Sequence, residues 1–199
     1  MKIYDISQEL YSSVVFPGDP SPQAKQLASM EEGSPYNLTL ISMCAHNGTH
    51  IDAPKHFINE GKGIDEIDLE SVVGKCFVYQ TSGLISEQEA LLILDKARAV
   101  DEECAKRILI KGDAALSLEG AKAIKDKVLL FGNESQTIGP EREMTVVAEI
   151  HRILLKSGVV LLEGVRLGSV SEGEYLLFAA PISLKGGDGS PCRAVLIEK

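Results

Sequence analysis

No run of about 18 apolar residues occurs anywhere in this chain, which leaves no candidate for a membrane-spanning helix. The opening decapeptide, MKIYDISQEL, has no apolar stretch of signal-peptide length. Cysteine is sparse and scattered, at Cys44, Cys76, Cys104 and Cys192, with no CxxC pair. Together these absences predict reduced thiols and a cytoplasmic protein. Positive charge is in deficit: 20 Lys and Arg face 29 Asp and Glu, for a formal net charge of -9. That removes any bulk attraction to nucleic acid or anionic lipid. GxSxG is missing, which weakens a serine-hydrolase reading, and neither GxGxxG after a strand nor GxxxxGK[ST] is present to cradle a nucleotide. Repeats, low-complexity tracts and linkers are absent too, so residues 1–199 are expected to form one domain.

The remaining pattern alternates strands and helices. Strands are predicted over residues 1–6, 36–44, 72–81, 107–111, 128–131, 159–162, 175–180 and 194–197. Ser86-x-x-Glu89 is a capping-box signature opening a helix that runs to about residue 100. Further helices are predicted over 117–126 and over 145–157, the latter stopped by Gly158. Residues 14–23, VVFPGDPSPQ, read as a turn-rich loop. Such alternation predicts an α/β fold with a mostly β core flanked by helices.

Histidine is also scarce, yet three of the four histidines fall within residues 46–56, in CAHNGTHIDAPKHF. The spacing is His46-x3-His50-x-Asp52-x3-His56. Taken singly, each histidine reads as an ordinary hydrogen-bonding residue. Three of them around a carboxylate point instead to a divalent cation, because imidazole and carboxylate are ligands that zinc accepts. Gly48 and Pro54 predict a loop or short irregular turn here, with Gly48 allowing a backbone geometry or close approach that a side chain would block. Cys44, two residues before His46, reads as a small buried apolar residue. The fourth histidine, His151, sits near the apolar face of a helix, and a buried core histidine is the plain alternative. Glu163 ends the apolar run VVLL, where an unpaired carboxylate would be costly unless it meets a cation or a partner.

At this point the residues resemble a known family. HNGTHIDAPKHF is similar to the HxGTHxDxPxH signature of the cyclase family, which includes bacterial kynurenine formamidases (arylformamidases) and isatin hydrolases. DISQELYSSVVFPGDP, HRILLKSGVVLLEGVRLGSV and GGDGSPCRAVLI resemble its opening, distal and closing segments, in the right order over nearly the whole chain. The resemblance implies a swivelling β/β/α-type fold, a homodimer or higher oligomer such as a tetramer, and two divalent ions, zinc foremost and manganese in some members. It also implies roles. His46, His50 and Asp52 would bind one ion. Asp52 and Glu163 would bridge to a second, completed by His151. His56 would stay off the metal and carry protons, and Phe16 would line the substrate pocket.

The implied activity is hydrolysis of an amide C–N bond, with an aryl formamide such as N-formylkynurenine first. A cyclic amide, a lactone, and a metal-binding protein without turnover are the alternatives. Residues 132–141, GNESQTIGPE, depart from the formamidase pattern, and Asn133, Ser135 and Gln136 are expected near the pocket. Arg193 reads as a substrate-carboxylate contact or an ion pair, and Asp188 as a turn residue.

Overall fold

The computed structural model describes residues 1–198. Its strands are β1 (Lys2–Asp5), β2 (Gln23–Ala28), β3 (Leu38–Ser42), β4 (His50–Asp52), β5 (Val73–Gln80), β6 (Gly83–Ile85) and β7 (Arg107–Lys111). They continue with β8 (Ala114–Leu116), β9 (Leu130–Asn133), β10 (Val160–Glu163), β11 (Gly173–Phe178), β12 (Gly189–Pro191) and β13 (Val195–Glu198). The α-helices are α1 (Leu69–Val72), α2 (Glu87–Val100), α3 (Leu118–Ile124) and α4 (Met144–Lys156).

Nine strands form one mixed sheet in the order β1-β13-β11-β5-β7-β9-β10-β4-β12. Its centre, β5-β7-β9-β10, is parallel, and both flanks are antiparallel. Central parallel strands must bury both faces, and they alternate accordingly. Ile108, Ile110, Phe131 and Leu161 face a core shared with α2, α3 and α4. Leu109, Leu130 and Leu162 face a second core with Ile6, Val165 and Leu196. The result is the expected α/β arrangement with a mostly β core.

Local chemistry sets the helices. Ser86 caps α2 by accepting a hydrogen bond from the Glu89 amide, and Ser117 caps α3 through the Gly120 amide. In α2, Ala90, Ile93, Leu94 and Ala97 make a buried stripe at helical spacing. In α4 the stripe is Val147, Ile150, His151, Leu154 and Leu155, so a histidine occupies a core-facing position.

Three expectations are corrected. The segment expected as a loop contains β4, held between β10 and β12. The strand expected over 128–131 lies at Leu130–Asn133, where it pairs with both β7 and β10. Strands β2, β6, β8 and β12 were not anticipated; three of these have only three residues, too few to show a period.

Candidate active site

The site is built where β4 and β10 lie side by side. Their antiparallel register sets His50 opposite Glu163 and Asp52 opposite Leu161. Side chains alternate along a strand, so His50 and Asp52 share one face while Ile51 enters the core. The turn before β4 carries His46, and the 3-10 turn Pro54–His56 carries His56. Gly48 has φ +69, the left-handed geometry that favours glycine. α4 brings His151 over the same spot. On the other side β12 pairs with β4, with Gly189 opposite Asp52. A Cβ at Gly189 would lie 2.5 Å from His46 Cε1, so only glycine leaves room for that ring.

The contacts are short and convergent. His46 Nδ1 is 2.9 Å from Asp52 Oδ1, and His50 Nε2 is 3.4 Å from both Asp52 Oδ1 and Glu163 Oε2. His151 Nε2 lies 3.1 Å from Glu163 Oε1 and 3.5 Å from Asp52 Oδ2. The Ile138 amide donates to Glu163 Oε1 at 2.9 Å. His50 Nδ1 faces the Gly48 carbonyl at 3.0 Å, and His151 Nδ1 faces the Val147 carbonyl at 2.8 Å. A carbonyl only accepts, so Nδ1 carries the proton in both rings and Nε2 is turned to the carboxylates. The ring of His56 stacks on that of His46, with centroids 3.9 Å apart.

Charge balance explains the proton affinities. Burial works against a charged His50, but Asp52 and Glu163 outweigh it and raise its pKa to about 10. His46 and His151 are raised for the same reason, against burial, by Asp52 and Glu163 respectively. Burial would raise Asp52, yet His46 and His50 hold it well below the usual carboxylate range. His56 moves the other way: burial lowers it, and although Asp52 pulls it up, His46 and His151 push it further down. A neutral imidazole therefore sits beside a cluster that attracts positive charge.

That cluster suits a cation. Asp52 Oδ2 is buried without a hydrogen-bond partner, a costly state that a cation would relieve. Two overlapping groups bring ligand atoms close enough to share an ion: His46, Asp52 and His56, and His50, Asp52 and Glu163. The donors are imidazole nitrogens and carboxylate oxygens, which divalent transition metals accept.

Above the cluster opens a cavity of about 550 Å³, a size that fits a small organic molecule. Phe16, Phe57 and Met144 give it apolar wall, and Gln136 and Thr137 give it polar wall. The amide atoms of Gln136 and the hydroxyl of Thr137 have no hydrogen-bond partner in the protein.

All seven residues singled out from the sequence thus come to one place: Phe16, His46, His50, His56, His151 and Glu163 line the cavity, and Asp52 lies beneath them. Of the segment expected near the pocket, Gln136 reaches the wall, whereas Asn133 is buried with its amide donating to the Ala114 and Thr137 carbonyls. Ser135 uses its carbonyl to accept from the Gly164 amide. Arg193 pairs with Asp5 on the surface. Two expectations change. Cys44 is a half-buried part of the cavity wall, not a core residue. Asp188 is more than a turn residue: its Oδ2 lies 3.0 Å from His46 Nε2 and 3.6 Å from His56 Nδ1. The GGDGSP run reads locally as a turn, and only the pairing of β12 with β4 brings that carboxylate to the site.

The chain is similar to known proteins over nearly its whole length. A cyclase family model matches residues 4–161. The kynurenine formamidase of Erythrobacter litoralis is 31% identical, over 99% of this chain and 94% of its own. A predicted metal-dependent hydrolase from Bacillus stearothermophilus has a similar structure, with TM-score 0.76 at 26% identity, over 98% of this chain and 97% of its own. Isatin hydrolase A from Labrenzia aggregata, at 19% identity and TM-score 0.81 over 100% of this chain and 94% of its own, shares the fold.

Proposed function

The chain belongs to the cyclase family, and from that premise we propose that it is a metal-dependent hydrolase of an amide C–N bond, with an aryl formamide such as N-formylkynurenine as first substrate. The observation that carries this reading is the cavity floor. Two buried carboxylates from distant parts of the chain are ringed by three imidazoles, and one carboxylate oxygen has no hydrogen-bond partner. In this reading His46, His50 and Asp52 hold one divalent ion. Asp52, Glu163 and His151 would hold a second. Zinc is the first expectation and manganese the alternative. When bound, such ions make water a competent nucleophile near neutral pH and polarise a carbonyl.

The chain's own residues supply the rest. Phe16 offers an aromatic wall for an aryl ring, and Phe57 and Met144 extend the apolar lining. His56 is the proton carrier. Its pKa is lowered by burial, so it is neutral at pH 7 and able to accept. With Nδ1 turned toward Asp188, Nε2 is the nitrogen left to take a proton and return it to the leaving amine. General acid–base help of this kind is worth about 10²–10⁴ in rate. It also separates the enzyme from a passive metal-binding protein, which has no use for a spare base.

The polar wall at Gln136 and Thr137 favours keeping a second reading, a cyclic amide or lactone hydrolysed at the same centre. Assaying N-formylkynurenine, isatin and a simple lactone side by side separates the two. Chelation should abolish turnover and zinc should restore it. Full activity after exhaustive chelation would end the metal-dependent reading.

A homo-oligomer, dimer or tetramer, is part of the proposal. The β2–β3 ribbon leaves Leu27, Met30, Tyr36, Leu38, Leu40 and Ile41 exposed, an apolar area of the kind that partners cover. A cytoplasmic place in tryptophan catabolism is part of the proposal as well, and it rests on the similarity to kynurenine formamidases.

A further inference from the structure

Three rings face the carboxylate pair of Asp52 and Glu163, and each has its far nitrogen engaged. For His50 and His151 the far partner is a backbone carbonyl, of Gly48 and Val147. For His46 it is a side chain. Its Nδ1 faces Asp52 Oδ1 at 2.9 Å and its Nε2 faces Asp188 Oδ2 at 3.0 Å. A neutral imidazole has one proton and cannot donate to both. Asp188 is therefore the only one of the three far partners that a substitution can remove without altering the main chain. Its place is firmly set. The Asp188 carbonyl accepts from the Ala53 amide at 2.9 Å, and Gly189, next along, is in register with Asp52. The same Oδ2 lies 3.6 Å from Nδ1 of His56, whose ring stacks on His46. One carboxylate oxygen thus lies within hydrogen-bond distance of His46 and at ion-pair distance from His56.

Resting on the metal-centre reading above, we propose that Asp188 is a positioning residue for that centre: it holds the proton on His46 Nε2, so that Nδ1 is the nitrogen offered to the cation beside Asp52, and it sets the orientation of His56 through Nδ1. Carboxylates behind metal-bound imidazoles fix tautomer and raise ligand basicity, and their loss costs about 10–100-fold in metal affinity or activity. His46 would then ligate through Nδ1, while His50 and His151 ligate through Nε2.

The test uses wild type, Asp188→Ala and Asp188→Asn. Zinc affinity is measured by competition with a chromophoric chelator, zinc stoichiometry by elemental analysis, and histidine tautomers by long-range ¹H–¹⁵N spectra of the zinc-loaded proteins. Four histidines keep such spectra assignable. The expectation is that Asp188→Ala binds zinc about 10–100-fold more weakly. It should still reach the wild-type stoichiometry at saturation, and should lose the single Nε2-protonated form of His46. Asp188→Asn keeps an acceptor oxygen and should recover part of the affinity. A merely structural aspartate would lower the melting temperature without moving the tautomer.

Zinc affinity within threefold of wild type with the His46 proton still on Nε2 would overturn the proposal. So would a lower stoichiometry at saturation, which would make Asp188 a ligand. Wild type that binds no zinc would instead refute the metal-centre reading beneath it.

Discussion

Gly189→Ala is the smallest change that reaches the site through packing alone. The added methyl would stand 2.5 Å from His46 Cε1, 2.9 Å from the Ile51 carbonyl and 3.0 Å from His46 Nε2. The Ile51 carbonyl belongs to β4, fixed between two strands, so it cannot retreat. The ring must move instead, by about 1 Å to regain ordinary carbon–carbon contact. That shift spoils both short contacts of His46, to Asp52 and to Asp188. A displacement of about 1 Å in a reacting constellation costs about 10²-fold in rate, and overpacking costs about 1–3 kcal/mol in stability. The assay is kcat/KM on whichever amide or lactone the wild type turns over, with zinc affinity and thermal melting alongside. Gly168→Ala is the control, because its new methyl meets nothing within 4 Å. Wild-type turnover and zinc affinity in Gly189→Ala would refute the placement of His46 against β12.

His56→Ala is expected to keep its zinc and lose about 10²–10⁴ of its turnover. Elemental analysis and steady-state rates check this, and zinc loss in the variant would make His56 a ligand. The metal-stripped protein should depend on pH in a definite direction. Burial opposes charge on His50, but Asp52 and Glu163 raise its folded pKa from 6.5 to about 10. A raised folded pKa gives stability that is complete below 6.5 and lost as pH climbs through about 10. Urea midpoints of the chelated protein should therefore fall across that window. The zinc-loaded protein, which has no need of that proton, should show a flatter profile. Equal slopes for the two forms would contradict this.

Much of the fold is written locally. The cap at Ser86, the apolar run of β7 and the stripe of α4 each carry their signal within a few residues, and they lie where the sequence expects them. β4 does not, because three residues between Gly48 and Pro54 become a strand only when β10 and β12 supply partners on both sides. His46, His50 and Asp52 were legible from their spacing and Glu163 from its place at the end of an apolar run, whereas the ligand role of His151 rested on the family resemblance. Asp188 and the cavity side of Cys44 were not legible, since each depends on contacts made by distant segments. For Arg193 two roles stood open, and the ion pair with Asp5 is the one the structure supports.

The most direct test of the central idea is a metal count on the purified protein and on Asp52→Asn. Wild type should carry about two divalent ions per chain, the number that the proposed set of His46, His50, Asp52, His151 and Glu163 would hold. Asp52→Asn removes the charge shared by His46, His50 and His151 and should lose both ions while remaining folded. Asp52→Asn that keeps the full complement, or wild type with none after growth in zinc, would contradict the claim that these distant residues form a metal centre.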